Sequence, residues 1–159
     1  MNKEEIKAFT LRVTEANSCD LIVILYDIVL CDIKNAKKAY EKKDLKEFTA
    51  RVHDATRFMN ELISCLNYEG GLARDLLSLY SYCNKSLSSA VAGNNPEALD
   101  IVTDVITKLR NSFKALADAE TSGPIMKNAQ SVYAGLTYGK GCLNETYVDV
   151  KDYNRGFKA

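Results

Sequence analysis

Hydrophobic residues recur every three or four positions in four segments of the chain, which is the spacing of one face of an α-helix. The first segment follows Asn17, a good N-cap residue, and Asp20 places a negative charge in its first turn. Its apolar face carries Ile22, Tyr26, Val29, Ile33, Ala36 and Tyr40. This pattern predicts a long helix that begins at Asn17.

Capping and turn residues separate the other three segments. Asp44 with Glu47 three residues later resembles a capping box and predicts the start of the second helix. The run Gly70-Gly71 predicts the break before the third helix, which ends near Gly93. Asn95 as an N-cap, with Pro96 at the first helical position, predicts the start of the fourth. That helix stops before the run SGP at residues 122–124.

The predicted fold class is all-α. Four helices of about twenty residues with short connections favour an antiparallel up-down-up-down four-helix bundle. A further short helix is predicted at about residues 3–9, so that residues 1–16 form an N-terminal arm on a bundle domain of residues 1–120.

Residues 121–159 have a different composition from the rest of the chain. They hold five of the eight glycines and four of the nine tyrosines, and glycine at this density disfavours a stable helix. Two interpretations of this Gly/Tyr-rich extension stay open: a flexible tail, or an aromatic segment docked on the bundle surface, where tyrosine gives large contact area at low entropic cost.

The N-terminal half of the first long helix carries more apolar residues than one bundle face needs. Leu21, Ile24, Leu25 and Ile28 form a second apolar side, which must be covered by something besides the neighbouring helices. Such a surface can hold an amphipathic segment of another chain. The alternative is permanent cover by the N-terminal arm and the tail.

Charge and composition exclude several classes of function. Twenty-one basic and twenty-one acidic residues give a net charge of zero, which disfavours nucleic-acid binding. One histidine, His53, and no paired Glu-x-x-His motif give no basis for a metal site, a cofactor or an enzyme. Five cysteines without a C-x-x-C pair suit a reducing compartment.

Membrane insertion is not expected. The N-terminus is acidic, and the most apolar window, residues 21–33, contains Asp27 and Asp32 and is too short to span a bilayer. The sequence therefore predicts a cytoplasmic protein without direct membrane insertion.

Several short motifs, in order, resemble those of the flagellin export chaperones, the FliS family. They are VTEANSCDL at residues 13–21, ILYD at 24–27, LNYEGG at 66–71, LYSY at 79–82 and LRNSF at 109–113. The similarity covers about residues 9–118. Phe9 stands where many members have tyrosine, Ser18 where proline is usual, and Phe113 where tryptophan is usual. These changes keep apolar bulk or capping chemistry.

This resemblance implies an ATP-independent cytoplasmic chaperone. Such a protein binds the disordered C-terminal segment of flagellin, prevents early polymerisation and passes flagellin to a component of the flagellar type III export gate. The expected partner-binding residues are Leu21, Ile24, Leu25, Ile28, Tyr80 and Tyr82. Phe9, Leu11 and Val13 are expected to form an N-terminal cap over this surface.

Two other classes of function stay open. One is a helical regulatory or adaptor module that binds a different amphipathic partner, and the other is a bundle that binds a small molecule or a metal. The expected oligomeric state is a monomer, with a weak dimer as the alternative.

Overall fold

Five α-helices make up the part of the chain that the computed structural model describes, residues 3–67 and 71–119, and no strand occurs among these residues. All of them belong to one compact unit. The prediction of an all-α chain is confirmed. The helices are α1 (Lys3–Glu15), α2 (Ser18–Glu41), α3 (Leu45–Ser64), α4 (Gly71–Gly93) and α5 (Ala98–Ala119).

Local capping fixes the starts of α2 and α3 where the sequence predicts them. The Asn17 side chain accepts a hydrogen bond from the Asp20 amide at 2.8 Å, and the Asp20 carboxylate accepts one from the Asn17 amide at 3.4 Å. The Asp44 carboxylate likewise accepts from the Glu47 amide at 2.9 Å. Each bond satisfies an amide that the first helical turn leaves without a backbone partner.

Two predicted helix boundaries are wrong. The first helix continues to Glu15 instead of ending near residue 9, because no breaker precedes the Asn17 cap. The last helix begins at Ala98, two residues after Pro96. Asn95 accepts a hydrogen bond from the Glu97 amide at 2.9 Å, which closes a tight turn ahead of the helix instead of capping its first residue.

Helix α2 lies between α3 and α5, and α4 packs against the same two helices. Lys37 pairs with Asp100, and Asp27 pairs with Arg110, so the residue numbers of α2 and α5 run in opposite directions. These two helices are therefore antiparallel.

The core of this helical bundle is closely filled by side chains from α2, α3, α4 and α5. The Tyr26 ring meets the edge of Phe113 with centroids 5.6 Å apart, and Tyr40 meets Phe48 in the same way at 5.4 Å. The largest side chains with almost no exposed surface are Tyr26, Ile33, Phe48, Met59, Tyr80, Leu87, Leu99 and Ile106. Helix α1 contributes no buried residue.

Candidate functional site

A second apolar cluster, centred on α2, lies beside the main core and adjoins it through Phe58, which packs against both. Its buried members are Ala16, Ile24 and Ile28, and Leu21 and Phe58 pack against them as partly buried residues. We call these five residues the α1 seat, because α1 covers them. The spacing of Leu21, Ile24 and Ile28 along α2 places their side chains on one face of the helix.

Helix α1 occupies this seat through two side chains, Phe9 and Val13. They stand four residues apart and so share one face of α1, and both keep part of their surface exposed. A helix of 13 residues is marginally stable on its own in water, so α1 depends on the seat for its order. Helix α1 therefore covers the seat with few side chains, and little buried surface holds it in place.

Polar contacts supplement this apolar contact. The Arg12 guanidinium reaches the Asp27 carboxylate at 2.7 Å, and it also lies over the Phe9 ring, 5.6 Å from its centroid. Near the start of α1, the Asn35 amide donates a long hydrogen bond of 3.4 Å to Glu5. Because Arg12 is 44% exposed and the bond to Glu5 is long, each of these contacts contributes about 1 kcal/mol or less.

Open cavities flank α1 toward both of its ends. One, of about 350 Å³, has Glu5 and the α2 residues Asn35 and Lys38 in its lining. The other, of about 250 Å³, has Arg12 and Ile24 in its lining. Open space near both ends of α1 is consistent with a helix that lies on the surface of the bundle.

The structure brings together some of the residues that the sequence assigned to the partner-binding surface. Leu21, Ile24 and Ile28 lie together under α1. Leu25 packs on the main core instead, because it lies on a different side of α2. Tyr82 is on the surface of α4, 48% exposed.

Tyr80 and Leu11 lie elsewhere than the sequence placed them. Tyr80 is 1% exposed, and its hydroxyl hydrogen-bonds to that of Tyr26, so it is a core residue and not a surface residue. The sequence predicts Leu11 in the cap, but its side chain is 44% exposed. It stands two positions from both Phe9 and Val13, about 200° around the helix from the face that covers the seat.

Sequence reasoning missed the charged pair at the centre of this contact and the contribution of α3. Arg12 and Asp27 are 15 residues apart, and Phe58 joins the seat from α3. The sequence does contain one signal for the charged pair. Asp27 interrupts the most apolar window of the chain, and a carboxylate in apolar surroundings is usually paired with a cation.

The site offers apolar contact and offers little by way of reactive groups. Burial, with the nearby Glu5 carboxylate, raises the pKa of the Cys31 thiol to about 11, and burial raises that of Cys83 to about 11. Within residues 3–67 and 71–119, no cluster of three or more His, Cys, Asp or Glu side chains could hold a metal ion.

None of the helices described is long and apolar enough to cross a membrane.

The family model for flagellar protein FliS matches residues 2–120, which is more than half of the chain and includes all five helices. No curated protein sequence matches the chain. The match covers every motif on which the sequence resemblance depends, from residue 9 to residue 118. The chain therefore belongs to the FliS family of flagellar proteins, which are flagellar export chaperones.

Proposed function

We propose that this protein is a cytoplasmic chaperone that binds the disordered C-terminal segment of flagellin. It prevents premature polymerisation and assists flagellar type III secretion by passing its client to a component of the export gate. The family match supports a flagellar export chaperone. The observation that carries the proposal further is that α1, with no buried residue of its own, covers a buried apolar cluster outside the core.

The α1 seat is suited to an amphipathic helix because it already holds one. A segment of flagellin that folds on binding spends about 2–5 kcal/mol on its own ordering, so it needs a ready-made apolar surface. Displacement of α1 uncovers Ile24 and Ile28, and α1 supplies no residue to the main core. The client therefore competes with a weakly held helix and not with the bundle.

Phe9 and Val13 form the cap in this proposal, and the seat residues Leu21, Ile24 and Ile28 bind the client. Leu25 stays in place beneath, packed on the core, and Tyr82 extends the contact surface on α4. The remaining helices act as an up-down-up-down bundle that holds the seat rigid. The protein acts as a monomer, forms a one-to-one complex, and needs no enzyme activity or cofactor.

The tail stays a prediction from sequence alone. This prediction divides the chain into a bundle of residues 1–120 and a flexible or surface-docked tail of residues 121–159, and residues 120–159 lie outside the described residues.

A titration of flagellin into the full chain tests the proposed function. Flagellin with its C-terminal segment is expected to form a one-to-one complex, and flagellin without that segment is not. Failure of both to bind, or equal binding by both, would overturn the proposal. Preferential capture of another amphipathic protein would favour the adaptor alternative.

Matched variants of α1 test the cap. Replacing Phe9 and Val13 by serine weakens only the cover, so the complex is expected to become severalfold tighter, and an apolar dye is expected to bind the free chain more strongly. Leu11→Ser on the same helix is the control, because Leu11 lies outside the contact. Equal effects of the two variants would contradict the assigned roles.

A further inference from the structure

Asp27 pairs with two arginines, Arg110 on α5 of the bundle and Arg12 on α1, the helix that is displaced in the proposed function. One of its carboxylate oxygens, Oδ1, accepts from Nε of Arg110 on α5 at 2.9 Å. The other, Oδ2, accepts from Nη2 of Arg12 on α1 at 2.7 Å. The Asp27 side chain is only 17% exposed. When α1 leaves the seat, Arg110 remains, but Oδ2 loses its cation.

The contact faces of α1 and α2 have the same spacing of apolar and charged residues. On α2, Ile24 and Ile28 flank the acidic Asp27, at positions i, i+3 and i+4. On α1, Phe9, Arg12 and Val13 repeat this spacing, with a basic residue in place of the acidic one. Positions i, i+3 and i+4 share one face of a helix, so the two faces are complementary in both charge and apolarity.

A client that replaces α1 must supply what α1 supplied, namely apolar side chains for the seat and a hydrogen-bond donor for Asp27. An apolar or acidic residue opposite Oδ2 would cover this carboxylate oxygen, in a side chain that is only 17% exposed, without giving it a second donor, which is costly. A lysine or arginine restores the contact that Arg12 made. The seat therefore discriminates between amphipathic helices by charge as well as by apolar contact.

We propose that the flagellin segment that binds the α1 seat carries the pattern apolar-x-x-basic-apolar on one helical face. In the complex, Asp27 pairs with its Lys or Arg and so selects the register of the client. This inference rests on the proposed function, because it identifies the chemistry of the client at the same site.

The experiment measures the affinity of the full chain for a flagellin C-terminal segment, in an Arg12→Ala background. That substitution removes the competing cation of α1, so binding is expected to be about two- to fivefold tighter than for the unaltered chain. Adding Asp27→Asn then removes the charge that is expected to pair with the client and should reverse this gain, weakening binding by about two- to fivefold. If Asp27 serves only to hold α1, the second substitution leaves the affinity unchanged, which overturns the inference.

A second arm separates lost pairing from a damaged bundle, since Arg110 also loses its partner charge in Asp27→Asn. Each Lys and Arg of the segment is replaced by glutamine in turn. When glutamine replaces the Lys or Arg that pairs with Asp27, the loss of affinity caused by Asp27→Asn is expected to vanish, because that pair is already broken. An equal loss at every position means that the effect is structural, and overturns the inference. Absence of binding by the Arg12→Ala chain would instead contradict the proposed function itself.

Discussion

The hydroxyl groups of Tyr26 and Tyr80 lie 2.5 Å apart and hydrogen-bond to each other inside the bundle. Both rings are almost fully buried, with centroids 6.4 Å apart, and the pair links α2 directly to α4. A buried hydroxyl is tolerated in a core only when it has a partner. Each tyrosine therefore supplies the hydrogen-bond partner for the buried hydroxyl of the other.

Removing both hydroxyls should cost less than the sum of the costs of removing each one alone. Tyr80→Phe leaves the Tyr26 hydroxyl buried without this partner, so we expect the free energy of unfolding to fall by about 1–3 kcal/mol. In the double variant, no orphaned hydroxyl is left, so the loss should be well below the sum of the two single losses. Denaturant unfolding of the four chains checks this, and strict additivity would show that the bond contributes nothing.

Met59 and Leu72 provide a matched test of the core assignment. Met59 has no exposed surface and lies among the main core residues, whereas Leu72 on α4 is 68% exposed. We expect Met59→Ala to lower the free energy of unfolding by about 2–5 kcal/mol because it leaves a cavity. Leu72→Ala should change it by about 0.5 kcal/mol or less. Similar losses for the two variants would mean that the core is wrongly placed.

The Asn17 cap should stabilise the junction between α1 and α2. Asn17→Ala removes the acceptor for the Asp20 amide, and we expect a loss of about 0.5–2 kcal/mol in thermal or denaturant unfolding. Ser89→Ala, at an exposed position inside α4, is the control and should have little effect. A loss no larger than that of the control would exclude the capping box as a determinant of the α2 start.

Cysteine modification should depend on pH differently at different sites. Only the thiolate reacts, and the pKa of Cys31 and that of Cys83 are raised to about 11, so only about one in a thousand of these thiols is ionised at pH 8. We expect Cys65, which is exposed, to be modified before Cys31 and Cys83, and modification of Cys31 to accelerate as the pH rises toward 11. Peptide mass spectrometry after timed alkylation measures this. Rapid labelling of Cys83 in the folded chain at pH 8 would contradict its burial.

Local signals in the sequence were sufficient for most helix boundaries, and they failed where a longer-range contact decides. Asn17 and Asp44 act within three residues, so the starts of α2 and α3 could be read directly. Pro96 is equally local, but the Asn95 turn delays the helix by two residues. The pattern predicted the all-α class because α2, α3, α4 and α5 each bury one periodic face.

The candidate site was harder to predict, because surplus apolar residues and core residues look alike in a single sequence. Tyr80 follows the spacing of Leu76, Cys83 and Leu87, and this register places it in the core, while Tyr82 two positions later is exposed. The Asp27 contacts join residues 15 and 83 positions apart, and no short motif records them. Only the packing of α1 on α2 separates Ile24 and Ile28 from Leu25.

Hydrogen exchange of α1, with and without bound flagellin C-terminal segment, tests the displacement of α1 most directly. In the free chain, the amides of residues 3–15 should be the least protected of the five helices, because α1 has no buried residue. When the segment binds, we expect α1 to lose its remaining protection while the amides of residues 21–28 become more protected. A bound segment that leaves α1 as protected as before, or more so, would contradict the displacement of α1 from its seat.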